Sequence, residues 1–216
     1  GFYRGPNIVT DGLVFAIDAG STRSYPGSGT TVTDLIGTNN GTLTNGVGFS
    51  STNGGSFVFD GTDDYIDLAS DISLTTAFTF NCWFMKDTNS ERCFIGQTAS
   101  GTNIKLLFLS ANTIFFRMIN GGAVSNFSIG YTTALNGTWN FLTAVRSSSG
   151  VTKASLNGAA LITGSTLVGT FSPSAIGLNK DGQYWDGKLA NNLIYNRELT
   201  ATEILQNYNA QKSRFI

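Results

Sequence analysis

Asp60, Asp63 and Asp64 fall within one short stretch, FVFDGTDDYIDL over 57–68, and supply three of the chain's fourteen acidic side chains. Carboxylates crowded in this way either gather a cation or sit solvated on a corner. The neighbours indicate what positions them. Phe57 and Phe59 alternate before the Asp-Gly-Thr-Asp-Asp cluster, and Tyr65, Ile66 and Leu68 follow it, so the stretch reads as strand, tight acidic turn, strand.

Other chemistry is scarce. The chain has no His, which removes Ser-His-Asp and Cys-His catalysis and His-ligated zinc. Glycoside hydrolysis needs two carboxyl groups about 5–9 Å apart across a cleft. Glu appears only at Glu91, Glu198 and Glu203, in a turn and at the chain's end. The three aspartates, adjacent on a polar turn, lack the burial that would raise one of their carboxyls. No catalytic residue is assigned. Cys82 and Cys93 flank the polar turn KDTNSER, where a disulfide across a hairpin is geometrically possible; two small buried thiols are the alternative. For a glycan the candidates lie in NKDGQYWDG, 179–187. There Tyr184 and Trp185 offer aromatic faces to a sugar ring, while Asn179, Asp181 and Gln183 could bond its hydroxyls. Alternatively Trp185 starts the next strand and packs inward. Trp83 and Trp139 sit in strand-like segments and read as core.

The rest of the chain describes the scaffold. Hydrophobic residues make up 41%, with sixteen Phe, enough for a sizeable two-sheet core. Charged residues are only 12%, and a net charge of −1 without a basic run argues against nucleic acid and against an anionic membrane surface. No apolar run approaches the roughly 18 residues of a membrane span, and no charged segment followed by an apolar one opens the chain, so it reads as soluble. Its first residue is Gly rather than Met, so the start is a processed end or a chosen boundary.

Residues 1–10 suit an extended arm, and 11–216 a single domain. Period-two patterns recur at spacings near ten residues, among them FTFNCWFM, WNFLTAVR and VTKASL, with turns at Asn-Gly pairs beginning at Asn40, Asn45 and Asn157. Residues 104–119 predict a hairpin turning at Ala111 and Asn112. Only the end is helical: Thr200 and Glu203 form a capping box ahead of an apolar stripe of Ile204, Leu205 and Tyr208. The sum is an all-β, antiparallel two-sheet sandwich closed by a short C-terminal helix.

Several segments together resemble the laminin-G-like branch of the concanavalin A-like lectin/glucanase superfamily: DGLVFAID, NNGTL, residues 57–68, FTFNCWF, GTWNFLTAVR followed by SLNG, and WDGKLANNLIYNRELTATEI. The resemblance implies a jelly roll. It also implies a structural calcium at Asp60, helped here by Asp63 or Asp64, with an acidic partner from the segment that here reads Leu189, Ala190, Asn191, Asn192 and so lacks the carboxylate; Ca²⁺ takes six to eight oxygens, some of which neutral amides and carbonyls can supply. The stretches DGLVFAIDAG, SYPGSGTT and LQNYNAQKSRF resemble copies in tailed-bacteriophage structural proteins. That implies a non-catalytic virion-surface domain whose partners are other virion proteins, symmetric copies of itself, or surface glycans. A purely architectural assembly protein, or a carbohydrate-binding module of a secreted enzyme, are the alternatives.

Overall fold

A computed structural model describes residues 6–88, 90–98, 105–110, 113–120, 123–130 and 135–216. Its early strands are β1 (Leu13–Asp18), β2 (Thr31–Val32), β3 (Gly41–Thr44), β4 (Gly48–Ser50), β5 (Ser56–Asp60) and β6 (Tyr65–Leu68). The middle holds β7 (Phe78–Lys86), β8 (Arg92–Gly96), β9 (Lys105–Ser110), β10 (Thr113–Asn120), β11 (Ala123–Gly130), β12 (Asn140–Arg146) and β13 (Val151–Leu156). Then come β14 (Ile162–Thr166), β15 (Ala175–Ile176), β16 (Leu178–Asn179), β17 (Gln183–Tyr184), β18 (Asp186–Tyr195) and the helix α1 (Ala201–Gln211). Two antiparallel eight-stranded sheets result. One runs β14-β13-β12-β7-β18-β5-β4, with β1 also on β18; the other runs β11-β10-β9-β8-β15-β6-β3-β2.

The core between the sheets is aromatic. Phe57, Phe59, Phe78, Phe80 and Phe84 from the first sheet meet Ile66, Phe94, Ile95 and Phe116 from the second. Alternation along β7 sends Phe78, Phe80, Cys82 and Phe84 inward, yet the other face is buried too. There Trp83 stacks on Phe215 with ring centres 4.4 Å apart and on Tyr208 at 5.6 Å. Sheet one is thus covered on its outer side by α1 and the tail that follows.

The capping box forms as read from the sequence, with the Thr200 side chain accepting from the Glu203 amide. The stripe differs. Ile204 is buried but Leu205 is 45% exposed, and the helix buries Asn207 and Gln211 instead. Asn207 is the reason the helix can present a polar residue to a sheet. Its Oδ1 accepts from the Val9 amide (2.8 Å), and its Nδ2 donates to Asn81 Oδ1 (2.9 Å) and to the Tyr195 hydroxyl (3.0 Å). Tyr195 in turn donates to the Val9 carbonyl, so residues 6–10 are tied to the same domain.

Two pairs of strands read as local neighbours belong to opposite sheets. β5 and β6 flank the acidic turn but do not pair, so that turn crosses from one sheet to the other and is no hairpin. Cys82 on β7 and Cys93 on β8 are parted in the same way, and both are buried free thiols with no disulfide. Burial pushes each thiol upward, Cys82 well above its ordinary range. Asn45 and Asn157 do take the left-handed turn conformation expected of Asn-Gly (φ 63 and 56). Asn40 does not, because Gly41 opens β3, where a Cβ would lie 2.5 Å from Ile66 Cγ2. β9 and β10 pair as the predicted hairpin, whose turn at Ala111 and Asn112 lies outside the described residues.

Candidate functional site

At the inter-sheet crossing Asp60 and Asp63 are exposed and Asp64 is 4% exposed. One carboxylate oxygen from each lies within 4.8 Å of the other two. That spread fits one Ca²⁺ with ligand distances of about 2.3–2.6 Å. The turn holds itself in shape as well: Asp60 Oδ1 accepts from the Thr62 amide at 2.8 Å, and Asp64 Oδ2 accepts from the Asp60 amide at 3.1 Å. Asp64 has the burial that the sequence did not lead one to expect. Desolvation first, then the charges of Asp60 and Asp63, raise its carboxyl, whereas the Thr62 amide lowers that of Asp60.

The 189–192 segment does not join this corner. Asp60 pairs with Asp186 and Phe57 with Leu189, so the strand runs away from the turn before reaching Asn191. Asn191 Oδ1 accepts from the Trp83 amide (3.2 Å), and Asn192 is buried within the sandwich. Asp186 is the acidic neighbour, but Arg92 holds it at 3.4 Å. Three aspartates therefore fit a cation, with water and carbonyl oxygens needed for the rest of its shell.

The segment singled out for glycans is used for packing. Trp185 is 0% exposed, its ring 4.5 Å from that of Phe94 and edge-on to Phe84 at 5.8 Å. Asn179 is equally buried; its side chain bonds Gln183 and accepts from the Asp181 amide, closing the β16–β17 turn. Gln183 donates onward to Glu91. Asp181 is exposed and Tyr184 half-buried, but with Trp185 turned inward they form no aromatic platform. The inward alternative wins because Trp185, between β17 and β18, fills the core. All three glutamates are engaged: Glu91 with Gln183, Glu198 with Lys153, Glu203 with Arg197.

A more open site lies at the edge of sheet one, partly on the SYPGSGTT stretch. A cavity of about 300 Å³ is walled by the loop following β1 (Ala19 to Gly27) and by Phe49, Ser51, Gly54 and Gly55. The Tyr25 ring lies between Phe57 and Phe49, 5.4 Å from each, and its hydroxyl donates to the Gly29 carbonyl. An aromatic column thus runs from the core to Phe49, which is 36% exposed. The walls approach closely because Gly20 and Gly55 carry no side chain; a Cβ on Gly20 would lie 2.0 Å from the Gly54 carbonyl. The Phe49–Phe57 register across β4 and β5 was the one sequence signal available, and it shows only once the pairing is known.

A second cavity, about 180 Å³, sits beside Ser147–Gly150 and Leu167–Gly169. Beneath it the buried Arg146 guanidinium donates to the carbonyls of Leu74, Thr76 and Gly169 and lies over the Phe78 ring, pinning loops to the core.

Among solved structures the chain is similar to the receptor-binding domain of the botulinum neurotoxin C/D mosaic serotype, at 13% identity and a TM-score of 0.72. It is likewise similar to the binding domain of botulinum neurotoxin DC in complex with SialylT (14%, TM-score 0.70) and to a structure of botulinum neurotoxin type C, whose cell entry is dependent upon interaction with two ganglioside molecules (14%, TM-score 0.68). Each match covers 93% of this chain, which spans about half of the other (51–52%), so what is shared is the fold. No curated protein sequence matches the chain. The family model described as the concanavalin A-like lectin/glucanases superfamily, of laminin-G type, matches residues 60–205, and the chain belongs to that family.

Proposed function

We propose that this is a non-catalytic recognition domain that binds glycans, carried as a structural component on the surface of a tailed-phage virion. The observation that carries the recognition reading is the open groove ending on Phe49, an aromatic face set among hydroxyl and backbone groups at a sheet edge. Membership in a superfamily that includes lectins supports it, as do the sialylated and ganglioside ligands of the toxin domains that share the fold. Fold alone does not assign function, so the site bears the weight. Absence of catalysis is supported by the three paired glutamates and by an acidic turn that lines neither cavity. The virion setting is supported by the phage-like segments of the sequence. Calcium at Asp60, Asp63 and Asp64 is part of the proposal as a structural ion that braces the crossing between sheets.

A glycan array probed with the folded protein, with and without added Ca²⁺, tests the recognition reading; binding to a defined glycan set is expected and no hydrolysis of it. Absence of binding to any glycan would leave the architectural reading. That reading has its own support in β14, an uncharged edge strand with Ile162 54% exposed, followed by Val168 at 63%. Immunogold labelling of virions from the source phage tests the location.

A further inference from the structure

We infer that the groove beside Tyr25 and Phe49 takes a single neutral sugar ring, stacked on Phe49, and rejects sialylated and other anionic glycans; this rests on the glycan reading above. Three observations lead there. The first is charge. Among the described residues, none that line the groove is ionisable except Tyr25, whose hydroxyl is already donated to Gly29. The charges that border the groove cancel: Arg214 holds Asp18 through two bonds of 2.8 and 3.1 Å, and Asp18 also accepts from the Gly20 amide. Arg23 is exposed next to Thr22 but does not line the cavity. A carboxylate entering such a site loses water and meets no cation in return.

The second is the supply of hydrogen bonds. Thr22 and Ser51 line opposite walls, both exposed, and neither side chain bonds within the protein among the described residues. A hydroxyl donates or accepts by turning, so it suits the hydroxyls of a neutral sugar. Phe49 adds the apolar half, since the face of an aromatic ring is negative and attracts the C–H bonds on one side of a pyranose. The third is size. At about 300 Å³ the cavity stands at the lower end of the roughly 300–1,000 Å³ span of small-molecule sites, room for one ring and not for a branched chain.

The test is titration calorimetry of the full chain with the methyl glycosides of mannose, glucose, galactose and N-acetylglucosamine, set against free N-acetylneuraminic acid and glucuronic acid. At least one neutral glycoside is expected to bind and neither acid to do so. Phe49→Ala should weaken that binding about tenfold or more, and Phe49→Tyr should keep it. Phe49→Leu, which retains bulk without an aromatic face, should lose it as well, with circular dichroism confirming that each variant is folded. Neutral binding indifferent to Phe49→Leu and Phe49→Ala would overturn the inference. So would binding of the acids alone, especially if Arg23→Ala abolished it, and in both cases glycan recognition itself would stand. Failure of every glycan on the array would instead remove the glycan reading and this inference with it.

Discussion

Asp64 is a buried carboxylate beside two others, and its position separates the two readings of the acidic turn. Desolvation and the neighbouring charges make its ionised form costly. A divalent cation would reverse that cost, because the same crowding that repels becomes a ligand set. Asp64→Asn keeps an oxygen for the Asp60 amide while removing the charge. In EDTA the variant is therefore expected to melt at or above the wild-type temperature. With millimolar Ca²⁺ the wild type should gain several degrees by mass action and the variant little. Differential scanning calorimetry reads both, and a wild-type melting point indifferent to Ca²⁺ would reduce the cluster to a self-bonded corner. The sequence displayed these aspartates plainly. It did not display which would be buried, since that depends on the chain leaving one sheet for the other at Gly61.

Elements whose signals are local were legible, and those set by partners distant in sequence were less so. The helix is the clear case: Thr200, Glu203 and Ile204 announce it within five residues, and it forms there. Its buried face was misread because Asn207 satisfies Val9 and Asn81, more than a hundred residues away. Trp185 was undecided for the same reason, as its partners Phe84 and Phe94 come from two other strands. The cap gives two tests. Thr200→Ala should cost about 1 kcal/mol in urea denaturation by freeing the Glu203 amide. Glu203 is held by Arg197 at 2.6 Å, and that bond lowers its carboxyl to about 2 from an ordinary 4.5. A depressed acid contributes stability in full above 4.5 and loses it as pH falls toward 2. Glu203→Gln retains a capping acceptor without the charge. Its stability should then fall less steeply than the wild type's between those pH values, by a modest margin because solvent screens the pair. Parallel acid titrations of the two proteins would contradict the assignment.

As a whole the molecule is a sandwich with a third layer over part of one sheet, and the groove beside Tyr25 and Phe49 opens where that layer ends. Period-two patterning predicted two sheets. Trp83, read from the sequence as core, is indeed buried, but on the outer face of β7 rather than between the sheets, where Tyr208 of α1 and Phe215 of the tail cover it. Phe215 is the piece that closes it: 7% exposed, stacked on Trp83 at 4.4 Å and leaning on Trp139 at 4.7 Å. Beside it Arg214 clasps Asp18 and donates to the carbonyls of Gly54 and Gly55, so the same short tail fixes one wall of the groove. Removing the Phe215 ring should leave a cavity over two tryptophans and cost about 3 kcal/mol. In a domain of this size that lowers the melting temperature by on the order of 10 °C. The tail would also lose its anchor, so Phe215→Ala is expected to shift tryptophan emission to longer wavelength and to weaken glycan binding, though Phe215 lines no part of the groove. Arg214→Ala should weaken that binding with a smaller loss of stability and no spectral shift. If Phe215→Ala lowers the melting temperature yet binds the same sugar with unchanged affinity, the cover and the groove are independent parts, and the tail serves only to seal the sheet.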